Sequence, residues 1–391
     1  LLDSFRRGPY LGFAPRGSRY GGSLAVNNMP PMRLSRVLAA LVCALAVALA
    51  VTGCGSGSDS STGSSSGSAQ SRPAPPRNEF PSANGKTLAE VLEAENAAPS
   101  TLVVSPAAEV FNKGENRYPF GVFQRDRTQV PDAEVALYFA KVPGKGSGTA
   151  GAGAPAGTAS AEKAEQRALD QPATGPFPAA IETLQTQPAF RAQTTTSDPD
   201  AGTVVYKTNV DFPSNGEWRI AALIRQDDKL TTTLLPSAEV GRFSKVPQVG
   251  QKAPLIHTPT ADDVGGDLAK ITTRIPPDTQ NKVDYADVLG KEPIVLLFAT
   301  PQFCVSRVCG PVVDVAEQLK QLYGDKVAFI HMEIYQDNDP NKPVRPQVQA
   351  FHLPTEPWLF AIGRNGKIED EIDGAFGVEE LTRVVKGLTG E

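Results

Sequence analysis

Cys304 and Cys309 are the residues most able to do chemistry in this chain. They stand in FATPQFCVSRVCGPVV, residues 298–313, with Gly-Pro directly after the second. Two thiols this close allow three chemistries: reversible disulfide exchange, capture of a soft metal ion, or a static bridge. The spacing limits the geometry. On a regular α-helix, residues i and i+5 have Cα atoms roughly 8–9 Å apart, beyond disulfide reach. If the two sulfurs bond, Cys304 must lie in a loop that folds back. So short a closed loop gives a bridge little entropic stabilisation, which makes this a poor place for a purely structural staple.

Which chemistry applies depends on the compartment, and the N-terminal residues speak to that. Met32-Arg33-Leu34-Ser35-Arg36 is a short basic start, and 37–51 is an uncharged run of Ala, Leu and Val. A run of about fifteen residues is too short to span a bilayer comfortably and reads as a signal peptide. Val51-Thr52-Gly53-Cys54 resembles the lipobox of bacterial lipoproteins, which implies that Cys54 becomes the lipidated first residue of an exported protein. Residues 1–31 read as a mis-called upstream extension, with Met29 a competing start, and 32–53 as the signal. The chain has four cysteines, and Cys43 and Cys54 would leave the pool. In an oxidising compartment the two that remain are expected to pair. The expected location is the outer face of a membrane, reached through the lipid on Cys54. A net charge of −5 with no basic block gives no support to nucleic-acid binding.

The elements that must position the cysteines follow from pattern. Residues 54–79, rich in Ser, Gly and Pro, read as a flexible tether. From 80 to 246 short β-branched and aromatic runs alternate with turn residues, as in 134–140 and 204–212. That predicts an antiparallel, immunoglobulin-like β-sandwich. It is interrupted at 144–178 by a Gly/Ala/Ser-rich insertion expected to be disordered. Asp227-Asp228 reads as a hairpin turn, not a carboxylate dyad. Residues 80–246 contain no Cys or His, and spacing or partner contact is their expected role. From 249 the pattern changes. Pro293–Phe298 is a continuous apolar run, as in a strand buried on both faces. An amphipathic helix follows over 311–323, with Pro311 suited to its first position. A second buried strand is expected at 326–335, a hairpin over 358–372 with Asn365-Gly366 at its turn, and a closing helix at 378–388.

This strand–helix–strand–hairpin–helix order, with cysteines between the first strand and its helix, resembles a thioredoxin-like α/β domain over 249–391. Val249-Gly-Gln-Lys-Ala-Pro254, Leu289-Gly-Lys291, Phe298-Ala-Thr300 and the 365–366 hairpin resemble the secreted TlpA- and ResA-like thiol–disulfide branch. The resemblance implies thiol–disulfide exchange with protein or small-molecule thiols, without a cofactor. It also implies a cis-proline facing the cysteines, at Pro357, with Pro354 as the competitor. The family centre is Cys-x-x-Cys, and here four residues intervene. Two registers follow. Counted from Phe298, Cys304 is the attacking cysteine. Counted from the helix, Cys309-Gly310-Pro311-Val312 matches the family's Cys-Gly-Pro-Cys, with Val312 in place of the resolving cysteine. Cys304 is favoured as the more exposed. Arg307 could aid either sulfur, Glu356 would oppose a thiolate, and Trp358 would line the groove or join the core.

Two other readings stand beside exchange. One is a non-catalytic interaction protein on the same fold. The other is copper handling like that of the Sco-type proteins, with Cys304, Cys309 and His352 as weak candidate ligands for a soft ion. His331 falls inside a strand and reads as a packed core residue, and His257 as a surface one. The Pro-x-x-x-Thr-x-x-Cys spacing of a peroxiredoxin is absent around Thr300-Pro301. No phosphate loop, Ser/His/Asp triad or zinc site is present.

Overall fold

Nine strands build two facing sheets in the N-terminal part. They are β1 (Ala98–Pro99), β2 (Val103–Pro106), β3 (Gly114–Phe123), β4 (Glu134–Lys141), β5 (Ala173–Pro178), β6 (Ala180–Thr183), β7 (Val204–Phe212), β8 (Gly216–Gln226) and β9 (Lys229–Val240). One sheet has the order β1-β9-β8-β4-β5 and the other β2-β3-β7-β6. Alternation places Val135, Leu137, Phe139, Ile220 and Ala222 of the first sheet against Val104, Phe120, Val122, Tyr206 and Phe212 of the second, in one core. Strand β4 is buried on its other face too. There a short helix, α1 (Leu88–Leu92), lays Leu88 and Val91 over Ala136, Tyr138 and Ala140. A capping box between Thr87 and Glu90 starts that helix. A second one-turn helix, α2 (Gln193–Thr196), lies in the long β6–β7 connection.

The structure is a computed structural model that describes residues 69–94, 97–143, 163, 166–199, 201–226 and 229–391. The upstream extension, the signal peptide, Cys43, Cys54 and most of the tether lie outside the described residues. So do the core of the insertion and the Asp227-Asp228 turn, although β8 and β9 pair up to Gln226 opposite Lys229. Among the described residues no helix is long and apolar enough to cross a membrane.

The C-terminal part carries α3 (Tyr285–Val288), β10 (Ile294–Phe298), α4 (Cys309–Tyr323), β11 (Ala328–Met332), α5 (Pro346–Ala350), β12 (Trp358–Ile362), β13 (Ile368–Asp373) and α6 (Val378–Thr389). Its sheet has the order β11-β10-β12-β13. Strands β10 and β11 run parallel, while β12 is antiparallel to both β10 and β13. All five residues of β10 are buried because both faces are covered. Val295, Leu297 and Ala299 pack with α4 and α6, whereas Ile294, Leu296 and Phe298 pack with Phe351, Trp358 and Phe360. Gly366 takes φ +71° in the hairpin turn, a left-handed conformation that favours glycine.

Three sequence expectations need correction. Composition predicts a disordered insertion over 144–178, but 173–178 is strand β5, paired along β4. Its apolar Phe177 and Pro178 find a partner strand that composition alone does not reveal. The tether was extended to residue 79, yet Arg72 bridges Ile181 and Ser71 Oγ accepts from Thr183 N–H. Helix α4 begins at Cys309, so Pro311 is its third residue. There a missing N–H costs nothing, because no N–H of the first turn has an acceptor within the helix.

Candidate active site

Strand β10 ends at Phe298, and residues 299–308 form a turn-rich loop leading into α4. Within this loop Cys304 folds back onto Cys309, with a Cα–Cα distance of 5.8 Å, and the two form a disulfide. The two cysteines are not equivalent. Cys309 is the first residue of α4 and starts its apolar stripe, Cys309, Val312, Val313, Ala316 and Leu319, all buried against the sheet. Its exposure is 0%, whereas Cys304 keeps 7% and borders a cavity of about 390 Å³. The Sγ of Cys304 also has two polar neighbours. Cys309 N–H donates to it at 3.3 Å, and Ser306 Oγ lies 3.2 Å away. A thiolate at Cys304 would therefore meet an N–H of a helix N-terminus and a hydroxyl, both of which favour the charged form.

The remaining expected residues are placed as follows. The Glu356–Pro357 peptide is cis. It precedes Trp358, which pairs with Phe298, so it sits at the strand end from which the cysteine loop leaves. Glu356 is half-buried. Burial and the neighbouring Glu333 push its carboxyl up to about 7. Trp358 is core, packed on the sheet face away from the cysteines, and its indole N–H donates to Thr355 Oγ1 at 3.0 Å. Arg307 is paired with a carboxylate and not with a sulfur. Its guanidinium pairs with Asp198 at 2.8 Å, because the β6–β7 connection brings a carboxylate to the loop.

The three histidines have separate fates. His352 is exposed after α5, whose Val348 and flanking Phe351 and Leu353 pack on the sheet face opposite the cysteines. It does not line the sulfur cavity, and among the described residues no group of three His, Cys, Asp or Glu side chains could hold a metal ion. His257 is exposed and bonded to Asp284 at 2.6 Å. His331 is more than a packed core residue. Its Nδ1 lies 2.9 Å from Asp278 and its Nε2 3.1 Å from the Ala299 carbonyl. Both ring nitrogens face acceptors, so the ring is an imidazolium. Burial opposes that charge, but Asp278 outweighs it and holds His331 up at about 9.

A further set of residues at this site comes from the N-terminal part. The β6–β7 connection lies along α4 and the cysteine loop. Gln187 N–H donates to Gln318 Oε1, Ala192 N–H to Asp314 Oδ2, and Gly202 N–H to the Arg307 carbonyl. Arg274 ties the same layer down, bonding Asp314 Oδ1 at 2.9 Å and the Phe190 carbonyl at 2.8 Å. A Cβ on Gly310 would meet Thr195 Oγ1 at 2.8 Å, so this contact needs glycine. Arg127, Thr194, Asp198 and Ala201 thus share a cavity with Cys304. Nothing in residues 80–246 signalled this, since the region has no Cys or His and its polar residues resemble any surface loop.

Comparison with known proteins adds little. No family model matches the chain, and no curated protein matches it. A solved structure of a thiol:disulfide interchange protein of the thioredoxin family from Chlorobium tepidum TLS is similar over 36% of this chain and 97% of its own, at 18% identity and a TM-score of 0.26. A likeness that slight says nothing about activity.

Proposed function

We propose that this chain is a thiol–disulfide oxidoreductase that exchanges through Cys304 and Cys309. We read its C-terminal part as a thioredoxin-like domain of the TlpA- and ResA-like branch and its N-terminal part as an immunoglobulin-like sandwich. The chain is tethered by lipid on Cys54 at the outer face of a membrane. The observation that carries the exchange reading is the asymmetry of the disulfide. One sulfur borders an open cavity and has two polar neighbours, while the other is buried on the first residue of a helix.

In the oxidised protein an incoming thiolate attacks Cys304 Sγ. The Cys304–Cys309 bond breaks, and its electron pair leaves on Cys309, where the helix N-terminus favours the anion. In the reduced protein Cys304 attacks a partner's disulfide, and Cys309 then attacks Cys304 Sγ to release the partner thiol. The reduction potential of the pair tests this. A value above about −250 mV supports exchange, and one below about −300 mV makes the bond a staple.

The second reading, a non-catalytic interaction protein, is favoured by one observation: both cysteines are nearly closed to solvent. Trapping separates the two. A Cys309→Ala variant whose Cys304 captures partner disulfides as mixed disulfides supports exchange, and one that captures none supports the alternative.

A further inference from the structure

The exchange reading leaves the partner open, and the cavity at Cys304 narrows it. We infer that the site takes a small thiol or disulfide bearing a carboxylate, with Arg127 as the carboxylate's anchor. The inference rests on the exchange reading and adds the chemical class of the substrate.

Size comes first. The cavity of about 390 Å³ is at the lower end of small-molecule sites, which run from ~300 to ~1,000 Å³. Its walls belong to four elements: the cysteine loop, the first turn of α4, the β6–β7 connection, and the β3–β4 connection that carries Arg127. A polypeptide lying along the N-terminal turn of α4 beside the disulfide would meet the β6–β7 connection. That ground is already covered. Thr195 sits against Gly310, and Gly202 sits against Val308 and is bonded to the Arg307 carbonyl. Arg307 is latched to Asp198 across the same seam.

Charge comes second. The charged residues lining the cavity are Arg127, Arg307 and Asp198, and the last two pair with each other. Arg127 has no ion-pair partner among the described residues, and among those that line the cavity two side chains are positive and one is negative. Backbone conformation points the same way. Arg127 has φ +76° and Arg307 φ +60°, where glycine would be easier to accommodate. Both positions carry long cationic side chains, and both line the cavity beside Cys304. A planar guanidinium suits a carboxylate through paired N–H donors.

Exchange with such a thiol balances in two steps. One thiolate attacks Cys304 Sγ, forming a mixed disulfide and freeing Cys309 as a thiolate, which takes up a proton. A second thiolate attacks the small partner's sulfur, releasing Cys304 as a thiolate and the oxidised small disulfide. Two small thiols are oxidised, and the protein disulfide is reduced to a dithiol.

The test follows loss of the disulfide in the oxidised full chain by mass spectrometry. The probes are 3-mercaptopropionate, 2-mercaptoethanol, cysteamine and a reduced, unfolded protein, each rate divided by the probe's thiolate fraction. The carboxylate thiol is expected to lead the neutral one by about tenfold at low salt, with the advantage shrinking as salt screens it. Arg127→Ala is expected to bring that ratio to about one; the residue is on an exposed turn, so its loss leaves the fold intact. Equal rates for all small thiols, a ratio unchanged in R127A, or an unfolded protein that keeps pace with the carboxylate thiol would overturn the inference and leave exchange standing. A disulfide that no probe reduces would overturn both.

Discussion

The backbone N–H of Cys309 donates to the sulfur of Cys304 at 3.3 Å. The first turn of α4 therefore serves both cysteines: it carries one and aims an unpaired N–H at the other. On the proposed exchange reading that relation fits the first of the two registers read from the sequence, with Cys304 attacking and the buried Cys309 resolving.

The first prediction concerns alkylation of the reduced protein. Cys304 is expected to react with iodoacetamide at least about tenfold faster than Cys309, with its pH midpoint below the ordinary thiol value of about 8.5. Peptide mass mapping over a pH series reads both. Equal labelling of the two would remove the assigned roles.

Ser306 should tune that midpoint. Its hydroxyl is 3.2 Å from Cys304 Sγ. A hydrogen bond to a charged group is worth about 1.5–3 kcal/mol, and 1.36 kcal/mol is one pKa unit. Ser306→Ala is expected to raise the Cys304 midpoint by about one unit without changing Tm. An unchanged midpoint would mean that the hydroxyl does not face the thiolate.

Stability should depend on pH through the buried His331–Asp278 pair. Burial opposes both charges, but each group outweighs it for the other, holding His331 up at about 9 and Asp278 down at about 2. His331 lies above its ordinary 6.5, so its share of stability is complete below about pH 6.5 and is lost as pH rises through about 9. Asp278 lies below its ordinary 3.8, so its share is complete above about pH 4 and is lost as pH falls through about 2. Glu356, raised from its ordinary 4.5 to about 7, adds a loss that begins above about pH 4.5 and is complete by about pH 7. Tm is expected to peak near pH 4 to 4.5, to fall as Glu356 ionises, and to fall further towards pH 9 as His331 loses its proton. Asp278→Asn should cost about 3–5 kcal/mol at pH 5, because it leaves the histidine charge unpaired. A Tm that still climbs at pH 9 would contradict the pairing.

Two ion pairs lie at the seam between the N-terminal part and the cysteine helix, Arg307–Asp198 across it and Arg274–Asp314 on its C-terminal side, and they should differ sharply. Arg307–Asp198 is half exposed, while Arg274–Asp314 is almost wholly buried. Asp198→Ala is expected to cost at most about 1 kcal/mol. Asp314→Ala strands the Arg274 charge and frees Ala192 N–H, which should cost about 3–5 kcal/mol. Urea denaturation compares the two directly. Similar losses would mean that Asp314 is not the anchor of this seam.

Much of this architecture can be read from neighbouring residues alone. The apolar run 293–298, the stripe Val312-Val315-Ala316-Leu319, the Asn365-Gly366 turn and the alternation in 134–141 each depend on spacing within a few positions. Period and turn chemistry are local properties, so β10, α4, the hairpin and β4 are legible in the letters. The fold-back of Cys304 was legible too, because helix geometry forbids a bridge at that spacing. The separate standing of Cys304 and Cys309 was not. It depends on which side of α4 meets the sheet and on where Ser306 points.

The wall of the sulfur cavity lay furthest out of reach. Arg127, Thr194 and Asp198 come from loops more than a hundred positions before the disulfide, and no local period marks a loop that will dock on a distant helix. The same holds for the charge on His331. Its strand is plain in the sequence, but its protonation depends on Asp278, brought to it only by packing. The sequence by itself determined the elements and the reactive pair, because those follow from local backbone preference. The tertiary structure decided which sulfur borders a cavity and which residues wall it, because burial and charge pairing belong to the assembled fold.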